Sequence, residues 1–181
     1  TVSPMGSRML REWILRPLRS KQPILERLDA VSLLKEDPVA LSEIRELISS
    51  VRDMERITAR INTGAVSPRD MNSLSYSLEI IPGIKDVLYH FDTPLFARLM
   101  GKLHDLKELR ERIRNTVAEE PPALLSEGGY IRTGCNPALD ELRMAATEGK
   151  NWVAALQAKE QERTGIKSLK VQFNKVFGYY I

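Results

Sequence analysis

Apolar residues recur every three or four positions through most of the chain, the spacing of helices that bury one face. Ser3-Pro4 reads as an N-cap followed by proline at the first helical position, where a missing N–H is no loss. Met5, Met9, Leu10, Trp13 and Ile14 then form a stripe expected to face a core, and Pro17 ends the run. A second helix is predicted over about 21–35, with Ile24, Leu25, Leu28, Val31 and Leu34 inward. Asp37-Pro38 starts a third, carrying Leu41, Ile44, Leu47 and Ile48. A short fourth, over about 52–62, sets Met54, Ile57 and Ile61 on one side and stops at Asn62-Thr63-Gly64. Ser67-Pro68-Arg69-Asp70 repeats the opening device with an acid beside the free N–H groups, and Met71, Leu74, Leu78 and Ile81 follow at helical spacing. Pro82-Gly83 is expected to break that helix. Thr93-Pro94 is expected to start one long helix to about Val117, with a core stripe of Leu95, Leu99, Leu103, Leu106, Leu109 and Ile113.

The pattern changes after Glu119-Glu120-Pro121-Pro122. ALLSEGGYIRTG, with Gly128-Gly129 at its centre, predicts a hairpin or tight loop between short extended pieces. Asn136-Pro137 then caps a helix that the periodicity carries to about Arg163, roughly 40 Å at 1.5 Å per residue. Its apolar positions, Leu139, Leu142, Ala146, Gly149, Val153 and Leu156, make a coiled-coil-like seam, and Gly149 is the point where it would split. Past Leu156 the helix is polar all round, so its far end is expected to reach solvent or another domain. Thr164-Gly165 ends it, and Leu169, Val171 and Phe173 alternate with Lys170, Gln172 and Asn174 as in a half-buried strand. Gly178, Tyr179, Tyr180 and Ile181 look like the start of a second strand.

Composition narrows the class. The 181 residues are 43% hydrophobic and 28% charged, enough apolar material for a core. A single cysteine, Cys135, excludes an internal disulfide framework and favours a reducing compartment, so cytoplasm is the expectation. No apolar run reaches the roughly 18–20 residues that span a bilayer, and the opening does not read as a signal peptide. The net charge of +3 is uneven. Arg8, Arg11, Arg16, Arg19 and Lys21 outweigh Glu12 at one end, Lys159, Arg163, Lys167, Lys170 and Lys175 outweigh Glu160 and Glu162 at the other, and the stretch between is net acidic. Basic ends favour a phosphate backbone through counterion release, although solvated helix faces carry such charge more often.

Catalytic patterns are missing. Neither G-x-x-x-x-G-K-[ST] nor G-x-G-x-x-G occurs. His90 and His104 have no spaced carboxylate or thiol to complete a metal site, and Cys135 has no nearby histidine to act as its base. Phe173, Phe177, Tyr179 and Tyr180 among Lys170 and Lys175 could stack on single-stranded nucleic acid. Sheet packing is favoured for Phe173 and Phe177, and the residues leave Tyr179 and Tyr180 open.

Four stretches, TVSPMGSRMLREWILRPL, RDMERITARI, SEGGYIRTGCNPALDELR and KEQERTGIKSLKVQFNKVFGYYI, together resemble the middle of the MutS family of DNA mismatch-repair proteins, across essentially the whole chain and in family order. The resemblance implies a mainly α fold: a multi-helix core over 1–118, a loop or short hairpin over 119–135, a long protruding lever helix over 136–164, and the first strands of an incomplete DNA-encircling clamp over 165–181. It implies a piece of a larger ATPase, with the mismatch-reading domain before Thr1 and the phosphate loop beyond Ile181. No catalytic, cofactor or metal residue is expected here; ATP and Mg would belong to the parent. Mismatched double-stranded DNA, a homodimer partner and MutL are the implied partners, with Lys170 and Lys175 the weak candidates for touching DNA. A family paralogue acting on branched DNA, or an all-α scaffold with no nucleic-acid role, are the alternatives.

Overall fold

The computed structural model describes residues 1–176 and 178–180. The sheet-packing role read for Phe177 and the place of Ile181 in a second strand lie outside the described residues. Eight α-helices and one two-stranded sheet follow in order among the described residues: α1 Pro4–Leu15, α2 Lys21–Glu36, α3 Pro38–Ser50, α4 Met54–Asn62, α5 Pro68–Tyr89, α6 Pro94–Lys102, α7 Lys107–Thr116, α8 Pro137–Thr164, β1 Gln172–Asn174 and β2 Gly178–Tyr180. The mainly α class read from the periodicity holds, with its small β element at the C-terminal end. The chain divides into two compact units, Thr1–Arg132 and Thr133–Ile181.

Helix starts are local chemistry, and they fall where the caps predict. The side chains of Ser3, Asp37, Thr93 and Asn136 each accept a hydrogen bond from a first-turn N–H, and each is followed by proline. At α5 the Ser67 hydroxyl accepts from Asp70 N while the Asp70 carboxylate accepts from Ser67 N, a reciprocal box.

The core of the first unit lies where α2, α3, α5 and α6 meet. Ala30, Ile44, Val87, Leu88 and Phe96 are buried together, and Leu34, Leu47, Ile48 and Ile84 pack against them. Phe91 meets Phe96 edge-on at 5.9 Å. Toward the other end of α5, Leu78, Ile81, Ile57 and Ile113 are buried. Ser77, fully buried, donates to Ser73 O and accepts from Arg52 N at 3.0 Å, which pins the approach to α4. After α7 the chain returns on itself: Val117 bridges Ile131 antiparallel, and Asn72 and Arg69 of α5 donate to the carbonyls of Ala118 and Pro121. Leu125–Glu127 form one 3₁₀ turn before Gly128 and Gly129, both at positive φ.

Several sequence expectations are corrected. Pro82-Gly83 does not break α5, which runs through both residues. A proline inside a helix removes a hydrogen bond at a cost of about 3 kcal/mol, but Leu78 and Ile81 before it and Val87 and Leu88 after it are buried by the continuous rod. Gly83 also keeps its Cα against Leu47, whose methyls would lie 3.5 Å from a Cβ. The helix expected over 94–117 is two helices. It stops after Gly101-Lys102, and Leu106 adopts the left-handed conformation at φ 44° before α7 begins. Leu99, Leu106 and Leu109 of the expected stripe are exposed, whereas Ile113 is buried.

The α1 stripe is not core either. No residue of α1 is buried, and Ile14 is 71% exposed. Polar ties hold this helix: Arg8 grips Asp53 through both terminal nitrogens and reaches Glu55, while Arg27 of α2 sits 3.6 Å over the Trp13 ring. On α2, Ile24, Leu25, Leu28 and Val31 are exposed, and Ala30 and Leu34 take the inward places.

Candidate nucleic-acid interface

The second unit opens with the Asn136 cap and the 28-residue α8. Gly149 does not split it; the residue sits inside the helix with nothing near the site of a Cβ. None of its residues is buried, and Leu142, in the expected seam, is 68% exposed. Ion pairs between Asp140 and Arg143 and between Glu160 and Arg163 line the outside near its two ends. The hydrogen bond from Arg163 to Glu160 pushes the guanidinium pKa further up, so this charge is fixed at any working pH.

Gly165 closes α8 in the left-handed conformation, its N–H donating to Gln161 O. The following segment then folds along the last turns of the same helix, and two glutamines one turn apart hold it. Gln161 Nε2 donates to Leu169 O at 2.8 Å and to Lys167 O at 3.3 Å. Val171 N donates to Gln157 Oε1 at 2.9 Å. Lys170, one of the two sequence candidates, therefore lies between two residues whose backbones are fastened to α8, and its own side chain is exposed. β1 and β2 form an antiparallel hairpin in the register Gln172–Tyr180, Phe173–Tyr179 and Asn174–Gly178. Lys175, the other candidate, lies exposed in the connecting turn, which Asn174 Oδ1 stabilises by accepting from Val176 N. Lys170 and Lys175 thus flank β1 and have no acidic partner among the described residues. Residues 165–181 contain a third cation, Lys167, and no acid.

The strand expected over 169–174 is shorter: β1 covers Gln172–Asn174 and is exposed along its length, while Leu169 and Val171 precede it half-buried. Phe173 meets Tyr179 edge-on at 5.2 Å, yet Phe173 is still 62% exposed, so the packing favoured for it extends to one cross-strand ring. The Tyr180 hydroxyl donates to Gln172 Oε1 at 2.9 Å. What the arrangement offers chemically is a small aromatic and cationic surface, suited to contact with a polyanion and lacking any nucleophile or acid–base pair. Sequence reasoning missed Gln157 and Gln161, because a glutamine on a polar helix face carries no signal until the chain that it holds has been placed. Among the described residues no group of three or more His, Cys, Asp or Glu could hold a metal ion, and no helix is long and apolar enough to cross a membrane.

Residues 1–177 match the family described as MutS domain III. The chain belongs to that family. Proteins named DNA mismatch repair protein MutS are similar to this MutS domain III along its whole length: 46% identical over 181 residues in Staphylococcus carnosus, 45% over 187 in Methanosarcina acetivorans and 43% over 181 in Caldanaerobacter subterraneus. Each comparison takes in 100% of this chain and 21% of the relative, so the MutS domain III chain spans about a fifth of the length of the curated relatives it matches.

Proposed function

We propose that this chain is the core and lever of a DNA mismatch repair protein, a mechanical linkage without chemistry of its own. Residues 1–118 would be the pedestal, α8 the lever, and the basic hairpin the entry to a clamp on double-stranded DNA. The observation that carries the reading is α8 itself: 28 uninterrupted residues, roughly 42 Å of backbone-bonded rod, leading directly into the only run of cations without acids at that end. ATP and Mg would be handled elsewhere in the parent, which would work in the cytoplasm as a homodimer with MutL. The similarity to DNA mismatch repair proteins favours mismatch repair over a paralogue acting on branched DNA.

Coupling requires a two-state element that both ends bias, so the test breaks the rod and leaves its ends intact. In a full-length MutS carrying this segment, Leu142→Pro should abolish ATP-driven release from mismatched DNA while ATP hydrolysis persists. In the same assay Lys170→Gln with Lys175→Gln should weaken DNA retention and flatten its salt dependence by roughly one to two counterions. Normal nucleotide-dependent release by the proline variant would end the lever reading.

A further inference from the structure

The two glutamines near the end of α8 have opposite hydrogen-bonding tasks. Gln157 Oε1 accepts from Val171 N at 2.9 Å, whereas Gln161 Nε2 donates to Leu169 O at 2.8 Å and to Lys167 O at 3.3 Å. One position must therefore accept and the other must donate, and an amide side chain can do either. Both residues are half-buried and lie four apart, on one face of the helix. The backbone they hold, over 169–171, belongs to no helix or strand, so these side chains take the place of a ladder there.

Lys170 stands between the two fastened residues with its own side chain exposed. A lysine on loose backbone loses chain freedom when it meets a phosphate, and one on backbone already fixed does not lose it again. We propose that Gln157 and Gln161 are positioning residues for DNA retention. By accepting on one side of Lys170 and donating on the other, they preset where its ammonium meets a phosphate oxygen of the duplex. The inference rests on the clamp reading of the hairpin. Lys175, beyond β1, is held by neither amide and contributes by charge.

The asymmetry gives a test that charge alone cannot imitate. Gln157→Glu and Gln161→Glu each add one negative charge to the same helix face with little change in helix propensity. Gln157→Glu keeps an acceptor for Val171 N, but Gln161→Glu sets a carboxylate against two carbonyl oxygens. In a full-length MutS carrying this segment, without nucleotide, release of a fluorescent duplex with one mismatch is timed after adding unlabelled competitor. Hydrogen exchange over 166–172 is followed on the same proteins. Gln157→Glu should keep the protection of Val171 and release DNA within about twofold of wild type. Gln161→Glu should exchange faster over 169–171 and release DNA about threefold to tenfold faster. Gln161→Met, neutral and without a donor, should behave like Gln161→Glu. Equal acceleration by the two glutamate variants would reduce the effect to charge and overturn the proposal. Unchanged exchange in both Gln161 variants overturns it too, since the amide would then hold nothing. So does faster exchange with unchanged release, if Lys170→Gln with Lys175→Gln still speeds release; the clamp reading then stands without its positioning residues. Unchanged release in the lysine variant as well overturns the clamp reading and this inference together.

Discussion

The two units are stabilised by different means. In Thr1–Arg132 the buried apolar side chains run from Ala30 to Ile113, and helices from distant parts of the sequence share them. In Thr133–Ile181 no described residue is buried; α8 holds its shape by its own ladder, its Asn136 and Gly165 caps and its surface ion pairs, and the hairpin by the two glutamines. The first unit's stability is therefore cooperative and lost as a whole, whereas the second can open locally at little expense. Under the proposed function, a DNA-contacting element that must change state would suit the second kind, and a pedestal the first.

The sharpest way to break this contrast is to cut into the shared core. Phe96→Ala should destabilise the first unit by about 3–5 kcal/mol, read as a lower urea midpoint, since the ring is 5% exposed and touches Phe91. A midpoint equal to wild type would mean that the core described above does not hold the unit together. A smaller effect is expected where charge replaces packing. The hydrogen bonds from Arg8, aided by Arg56 N–H, hold the Asp53 carboxyl below its ordinary value of 3.8 against the opposing desolvation. A carboxyl depressed in the folded state contributes stability that is present above its unfolded value and lost as pH falls through the folded one. Asp53→Asn should accordingly lower the urea midpoint at pH 7; the gap should begin to narrow near the unfolded value of about 4 and close only as pH falls through the lower folded value. A gap that persisted at low pH would show that the ion pair is not what ties α1 to α4. The smallest effect belongs to the second unit. Gly149→Ala should stabilise α8 by about 1 kcal/mol, seen as slower hydrogen exchange around residues 145–153 with the core amides unchanged. Slower exchange throughout the first unit as well would mean that the two units open together.

What was legible in the sequence was what is decided within a few residues. Ser3, Asp37, Ser67, Thr93 and Asn136 announced their helices because a cap acts on the next turn only. Pro82 misled because the burial that keeps α5 intact comes from other helices, which a local breaker rule cannot see. The break before α7 was hidden for the opposite reason: the leucine spacing continues across it although Leu106 leaves helical geometry. Periodicity also cannot say whether an apolar stripe has a partner, so the α1 stripe and all of the α2 stripe but Leu34 read as core and stand exposed. At the candidate interface Lys170 and Lys175 could be chosen by charge, but their positions relative to α8 depended on Gln157 and Gln161.

Those two amides have a mechanical consequence. They work like a key in a shaft: both project from the last turns of one helix, and both grip the backbone that leads into the hairpin. If α8 is the proposed lever, torsion at that end would reach Lys170 through these two side chains, and unwinding a single turn would release both.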